Sequence, residues 1–199
     1  MRGKKQSILY YNTMIISFSG SQSSGKSTLL NYLSIRNPDI NFIPEITRLV
    51  RRKYNLPINE KGTDLTQLLI ANEHLVNFLL PEHQNKNTIL DRCIVDGLIY
   101  TKWLCDNGQV TEETYRSVSH IYDLIHDKYD IIFYTSPKDI GLEDDGERSI
   151  DKQFRDDIIK AFEEHIKDLK NVVVLEGSVQ QRLITIKETL AKHNIHITI

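Results

Sequence analysis

Residues 20–27 read GSQSSGKS, a glycine-framed run that fits G-x-x-x-x-G-K-[ST] at every fixed position. No other feature constrains the folding of the chain as tightly. An apolar stretch at 14–19, which reads as a buried strand, precedes it. A helical pattern over 26–34 follows, with Leu29, Leu30 and Leu33 at helical spacing. Gly20 and Gly25 let the backbone curl, so that the amides of Ser21, Gln22, Ser23 and Ser24 turn inward onto an anion. The helix opening at Lys26 adds the positive end of its dipole. In such a loop Lys26 reaches the β- and γ-phosphates of a nucleoside triphosphate, Ser27 offers its hydroxyl to Mg2+, and Thr28 continues the first helical turn. ATP and Mg2+ are the cofactors this arrangement calls for.

The remaining chain alternates between the two periodicities. Short apolar runs at 41–44, 88–91, 131–134 and 172–175 read as strands. Helical spacing covers 47–54, 64–80, 96–105, 112–128, 151–169 and 179–192. In the 64–80 helix the apolar side is expected to comprise Leu65, Leu68, Leu69, Leu75, Val76 and Leu79. Residues 195–199 are expected to add a sheet edge. Strands alternating with helices predict an α/β fold. Given the loop, this is a P-loop NTPase three-layer sandwich: a five-stranded, mainly parallel sheet with helices on both faces. Residues 136–149 are rich in Gly, Asp and Glu and long for a connection, which marks a lid at about 136–155. Residues 1–12 read as an N-terminal extension and 13–199 as a single domain, a size the 199-residue chain suits.

Composition excludes more than it selects. With 25 basic and 27 acidic residues the formal charge is −2, without the basic excess of a dedicated duplex-DNA binder. No apolar run approaches the roughly 18 residues a membrane span needs. Cys93 and Cys105 lie among apolar neighbours and read as buried thiols. The seven histidines form no ligand set. The basic start is not followed by an unbroken apolar region, so the expected location is the cytoplasm.

Elimination narrows the class of NTPase. A GTPase reads guanine with N-K-x-D after a late strand; here that place holds Tyr134, Thr135, Ser136 and Pro137. Transporter and motor ATPases usually follow the acidic end of the 88–91 strand with a catalytic Glu, and this chain has Arg92. A small-molecule kinase remains. Glu45 follows Pro44 at the sheet edge where ligands bind, placed to accept the proton of an acceptor hydroxyl or hold it in line; its plainer role is a helix-start carboxylate. Asp91 ends a buried strand and either holds Mg2+ through water or acts as the base. Arg92 contacts a phosphate or acceptor, or pairs with Asp96 or Glu45. Asp96 contacts substrate or N-caps its helix. Arg48, one turn past Glu45, is placed to meet a phosphate on the acceptor. Arg148 and Arg155 are candidates to close over the triphosphate and neutralise charge on the transferred group. Arg51, Arg52 and Lys53 form a basic segment, either a solvated face or a track for a polynucleotide. Trp103 reads as core.

From residue 14 to about 192 the chain resembles the ribosylnicotinamide kinase domain of the bacterial bifunctional NAD-biosynthesis regulator and the NAD-metabolism-type P-loop kinases often found in phages. The pieces are Ser23 to Ser27, Pro44 with Glu45 and Arg48, Asp91-Arg92 with Asp96, the Asp144 to Ser149 segment, and Glu176 to Arg182. Deoxynucleoside kinases are more distantly similar, with an acidic residue after the second-strand Pro and an acidic-Arg pair at the third strand. The resemblance implies nicotinamide riboside as acceptor, a host cytoplasm for a phage-encoded member, and adenine held near 177–182 with Arg182 stacked on it. A (deoxy)nucleoside or nucleoside monophosphate is the neighbouring expectation. Two further classes are a kinase acting on a polynucleotide hydroxyl or modified DNA base, and a regulatory NTP-binding module. No pattern speaks to the oligomeric state.

Overall fold

Neighbouring residues on each strand turn to opposite faces of the sheet, and this alternation sorts the molecule into layers. In the computed structural model, which describes residues 13–80, 86–137 and 151–199, the strands are β1 (Ile15–Ser19), β2 (Asn41–Ile43), β3 (Thr88–Asp91), β4 (Ile131–Thr135) and β5 (Val172–Leu175). They form one sheet in the order β2-β3-β1-β4-β5, and all four pairings are parallel. The helices are α1 (Lys26–Arg36), α2 (Ile46–Tyr54), α3 (Asp64–Leu79), α4 (Ile94–Asp106), α5 (Glu112–Ile125), α6 (Lys152–His165) and α7 (Val179–Lys192).

Ile16, Phe18, Ile89, Ile131 and Phe133 pack with α1 and α7 on one face. Ile15, Leu90, Ile132 and Tyr134 pack with α3, α4, α5 and α6 on the other. A parallel sheet covered twice must be apolar on both sides, hence the continuous apolar runs. Ordinary side-chain caps open several helices: Thr63 accepts from the Thr66 amide, Thr111 from Thr114, Asp151 from Phe154 and Ser178 from Gln181.

Two expectations are corrected. On α3 the buried residues are Thr66, Gln67, Ile70, Ala71, His74 and Phe78, while Leu65, Val76 and Leu79 are exposed. The inward face is mixed, because Ala71 and Phe78 enter the core while Gln67, Ile70 and His74 line a pocket. Residues 195–199 form no strand. Ile195 and Ile197 do alternate into the core beneath α1 and α7, but the backbone is held by a side chain. Asn37 Nδ2 donates to Thr198 O at 3.1 Å, and Thr198 N donates to Asn37 Oδ1 at 2.7 Å. One amide thus replaces a strand partner. Ile197→Ala is expected to lower the unfolding free energy by about 2–3 kcal/mol, read from urea denaturation. A loss under about 0.5 kcal/mol would show that the tail contributes no core. Cys105 also departs from expectation: Cys93 is buried, but Cys105 is partly exposed beside Glu112. Arg148 and most of the expected lid, and residues 1–12, lie outside the described residues.

Candidate phosphoryl-transfer site

The β1 strand is central; its own connection α1 lies on one face of the sheet, whereas the helices that follow its neighbours β3 and β4 lie on the other, which opens a crevice at its C-terminal end. The phosphate loop fills this point. Gly20 sits at φ 133°, and a Cβ there would lie 2.9 Å from Thr135 O, so β4 forbids any side chain. No side chain caps α1; its N-cap is Gly25 in the left-handed region, which leaves the first amides for an anion.

The loop is tied from behind. Ser24 Oγ and Thr135 Oγ1 are 2.6 Å apart, and the Thr135 hydroxyl lies 3.1 Å from Ser19 O. Arg182 is 2% exposed; its guanidinium donates to Gly177 O at 2.9 Å, Ser24 O at 2.8 Å and Ser136 O at 2.8 Å. The structure therefore gives Arg182 a different place from the one expected. Its planar fork staples the loops after β1, β4 and β5, a geometry that a base-stacking residue does not need.

Lys26 Nζ donates to Gly20 O at 2.8 Å and Ser21 O at 2.7 Å. Burial, and then the Arg92 charge, pull its pKa down to about 7, against the opposite pull of Asp96, Asp91 and Glu45. Ser27 is half-buried and Thr28 exposed.

Across the crevice lies a charge network. Arg92 Nε donates to Glu45 Oε1 at 2.8 Å, and its Nη1 donates to Asp96 Oδ1 at 2.8 Å and Gly20 O at 3.0 Å. Arg48 Nε donates to the other Glu45 oxygen at 3.0 Å. Burial alone would raise the Glu45 pKa, but Arg92, Lys26 and Arg48 together hold it below the usual carboxylate value. Asp96 Oδ2 accepts from Ser19 Oγ at 2.5 Å and Cys93 N at 3.2 Å. It is therefore the third helical residue of a capping box, not the N-cap, which is Cys93. Asp96 organises the site from beneath, with its oxygens engaged by protein. Asp91 differs: its Oδ1 is buried without a hydrogen-bond partner among the described residues. Burial, and then the Glu45 charge, push its pKa up to about 6. Asp91 and Ser27 line the same groove beside Pro44, Glu45 and Arg48. An orphan carboxylate oxygen facing a hydroxyl in one groove is a donor set that suits Mg2+. Arg155 lies half-buried in the first turn of α6.

Behind Glu45 and Arg92 opens a cleft with about 380 Å³ of empty space, part of it open to solvent. Its walls include Gln67, Ile70 and His74 from α3 and Gly97 and Tyr100 from α4. Sequence reasoning assigned none of these to the site. Their signal was the polar pair Gln67 and His74, two turns apart within a helix whose apolar face was assumed to be buried. Burial, and then the Arg92 charge, push the His74 imidazole from its ordinary 6.5 to about 4, with Asp96 and Glu45 opposing. The folded state thus binds fewer protons than the unfolded chain between about pH 6.5 and 4. The stability this group contributes is present above pH 6.5 and is lost as pH falls toward 4. In urea denaturation, lowering the pH from 7 to 4.5 is expected to cost wild type about 2–3 kcal/mol more than His74→Gln. Equal losses would show that His74 titrates normally.

A phosphate loop, a carboxylate-hydroxyl groove and an adjoining pocket define a P-loop nucleotide-binding domain of the three-layer α/β kind. A family model described as an AAA domain matches residues 15–182, and the chain belongs to that family. Among solved structures, the NadR protein in complex with NR is 17% identical with a TM-score of 0.72, over 94% of this chain and 53% of that one. NadR in complex with NAD and AMP-PNP is 14% identical with a TM-score of 0.69, over 94% and 51%. Deoxyadenosine kinase from M. mycoides, with products dcmp and a flexible dcdp bound, is 19% identical with a TM-score of 0.65, over 90% and 100%. The chain spans about half the length of the NadR chains it matches. These likenesses establish the fold, and both groups resembled at the level of motifs share it. No curated protein sequence matches the chain.

Proposed function

We propose that the chain is an ATP-dependent phosphotransferase that moves the γ-phosphoryl group to a nucleoside or nucleotide acceptor, with residues 13–199 forming one kinase domain in the cytoplasm. The observation that carries this reading is that Glu45 and Arg92 line both the phosphate-loop recess and the pocket behind it. A donor phosphate and an acceptor hydroxyl would therefore meet at one carboxylate.

The loop amides and Lys26 hold the β- and γ-phosphates. Ser27 and Asp91 would hold Mg2+, which supplies charge neutralisation on the triphosphate. The acceptor oxygen attacks the γ-phosphorus, the bond to the β-bridging oxygen breaks, and ADP leaves with that electron pair. Glu45, kept ionised by two guanidinium groups, orients the hydroxyl and takes its proton late, which suits a loose transition state. Arg48 lies beside Glu45, placed to meet a phosphate on a nucleotide acceptor.

The test is a panel of nucleosides, nucleoside monophosphates and short oligonucleotides incubated with γ-labelled ATP. Label on a nucleoside-type product supports the reading. Label on oligonucleotides alone would assign a polynucleotide kinase, and label on neither would leave a nucleotide-binding module.

A further inference from the structure

The pocket behind Glu45 and Arg92 carries hydrogen-bonding capacity that the described residues do not use. His74 is 1% exposed and lines the pocket, yet neither ring nitrogen has a hydrogen-bond partner among the described residues. Leaving a buried polar atom unpaired is costly, so two on one ring require an explanation. The structural duty of α3 does not supply one. Phe78 and Ala71 of the same helix enter the core cluster, whereas His74 meets the pocket. Ile70 and the Tyr100 ring provide apolar wall, and Gln67 stands two turns before His74 with its Oε1 3.0 Å from the Thr101 hydroxyl. Aliphatic and aromatic walls with a few convergent polar groups are the usual lining for a planar organic ring.

The full charges that line the pocket are matched. Arg92 lies between Glu45 and Asp96, and Arg48 takes the second Glu45 oxygen. Among the described residues that line the pocket, no carboxylate lacks a cationic partner that a positively charged ligand could replace. The imidazole itself reports the same physics, since burial and Arg92 keep it neutral despite two nearby acids. A second cation placed against it would meet the same desolvation and the same guanidinium. A neutral imidazole offers one N–H donor and one nitrogen acceptor, complementary to the mixed edge of a nucleobase.

We infer that His74 reads an uncharged, hydrogen-bonding ring on the acceptor, so that neutral nucleosides are taken in preference to a pyridinium riboside. This rests on the proposed kinase site and deepens it, and it runs against nicotinamide riboside, the acceptor the motif resemblance implies.

The experiment measures equilibrium binding by titration calorimetry and transfer of γ-label in parallel. The probes are adenosine, deoxyadenosine, deoxyguanosine, deoxycytidine, thymidine and nicotinamide riboside, with wild type, His74→Phe and His74→Gln. At least one neutral nucleoside is expected to bind wild type about tenfold more tightly than nicotinamide riboside. His74→Phe is expected to weaken that nucleoside by about fivefold or more, with AMP-PNP affinity unchanged, and His74→Gln, which still donates and accepts, to recover part of it. Tighter binding of nicotinamide riboside overturns the inference, as does a smaller loss in His74→Phe. Wild-type selectivity decides the matter if His74→Phe does not fold. Preferred transfer to nicotinamide riboside would sink this inference and keep the kinase reading. A neutral nucleoside bound through His74 but never phosphorylated would do the reverse.

Discussion

Lys26→Ala is expected to abolish phosphoryl transfer while leaving the fold intact. Preorganised charge aimed at a reacting phosphoryl group contributes the largest single share of such catalysis, and losing one such group costs at least about 10²–10³ in rate. The structure explains why the fold survives. Lys26 is 5% exposed, and its ammonium rests on the carbonyls of Gly20 and Ser21 within its own loop. Its pKa near 7 says that holding the charge there is unfavourable before a phosphate arrives. Removing it relieves desolvation and gives up a 3.2 Å bond to Ser24 Oγ, while the Ser24–Thr135 and Arg182–Ser24 ties remain. The melting temperature is expected to stay level or rise, and the steady-state rate with the best acceptor to vanish into background. Transfer at the wild-type rate would end the assignment of residues 20–27 as the phosphate loop.

Arg92→Ala is expected to have the opposite signature, with loss of both stability and activity. The guanidinium joins Glu45, Asp96 and Gly20 O in a buried setting. Truncating it removes the cationic partner of Asp96 and one of the two on Glu45, and breaking a buried ion pair from one side costs about 3–5 kcal/mol. For a chain of this size that lowers the melting temperature by roughly 6–20 °C. Lysine should not rescue it, because one ammonium cannot fork to three acceptors in a plane. A shift under about 2 °C in thermal unfolding would show that Arg92 does not organise the crevice.

Lys26 and Arg92 differ in how readable the sequence makes them. Lys26 belongs to a motif whose parts are consecutive, so spacing alone assigned it. Arg92 was left between a ligand contact and an ion pair, and only the fold, bringing residues 45 and 96 to its two sides, decided for the pair. Asp96 was read as a substrate contact or an N-cap; its oxygens instead support Ser19, Gly20 and Cys93. Arg182 was placed by resemblance on a base, but one of its carbonyl partners lies 158 residues away, at Ser24. No local pattern carries a contact of that separation.

The sequence by itself determined the alternation of strands and helices, the phosphate loop and the acids and arginine beside it, because strand period, helix period and loop glycines are properties of adjacent residues. Tertiary structure alone decided which face of α3 turns inward, that the Asn37 amide holds Thr198 at the chain end, and that His74 in the pocket has no hydrogen-bond partner among the described residues. Each depends on what stands opposite the residue in space, and a one-dimensional pattern records only what stands next to it in the chain.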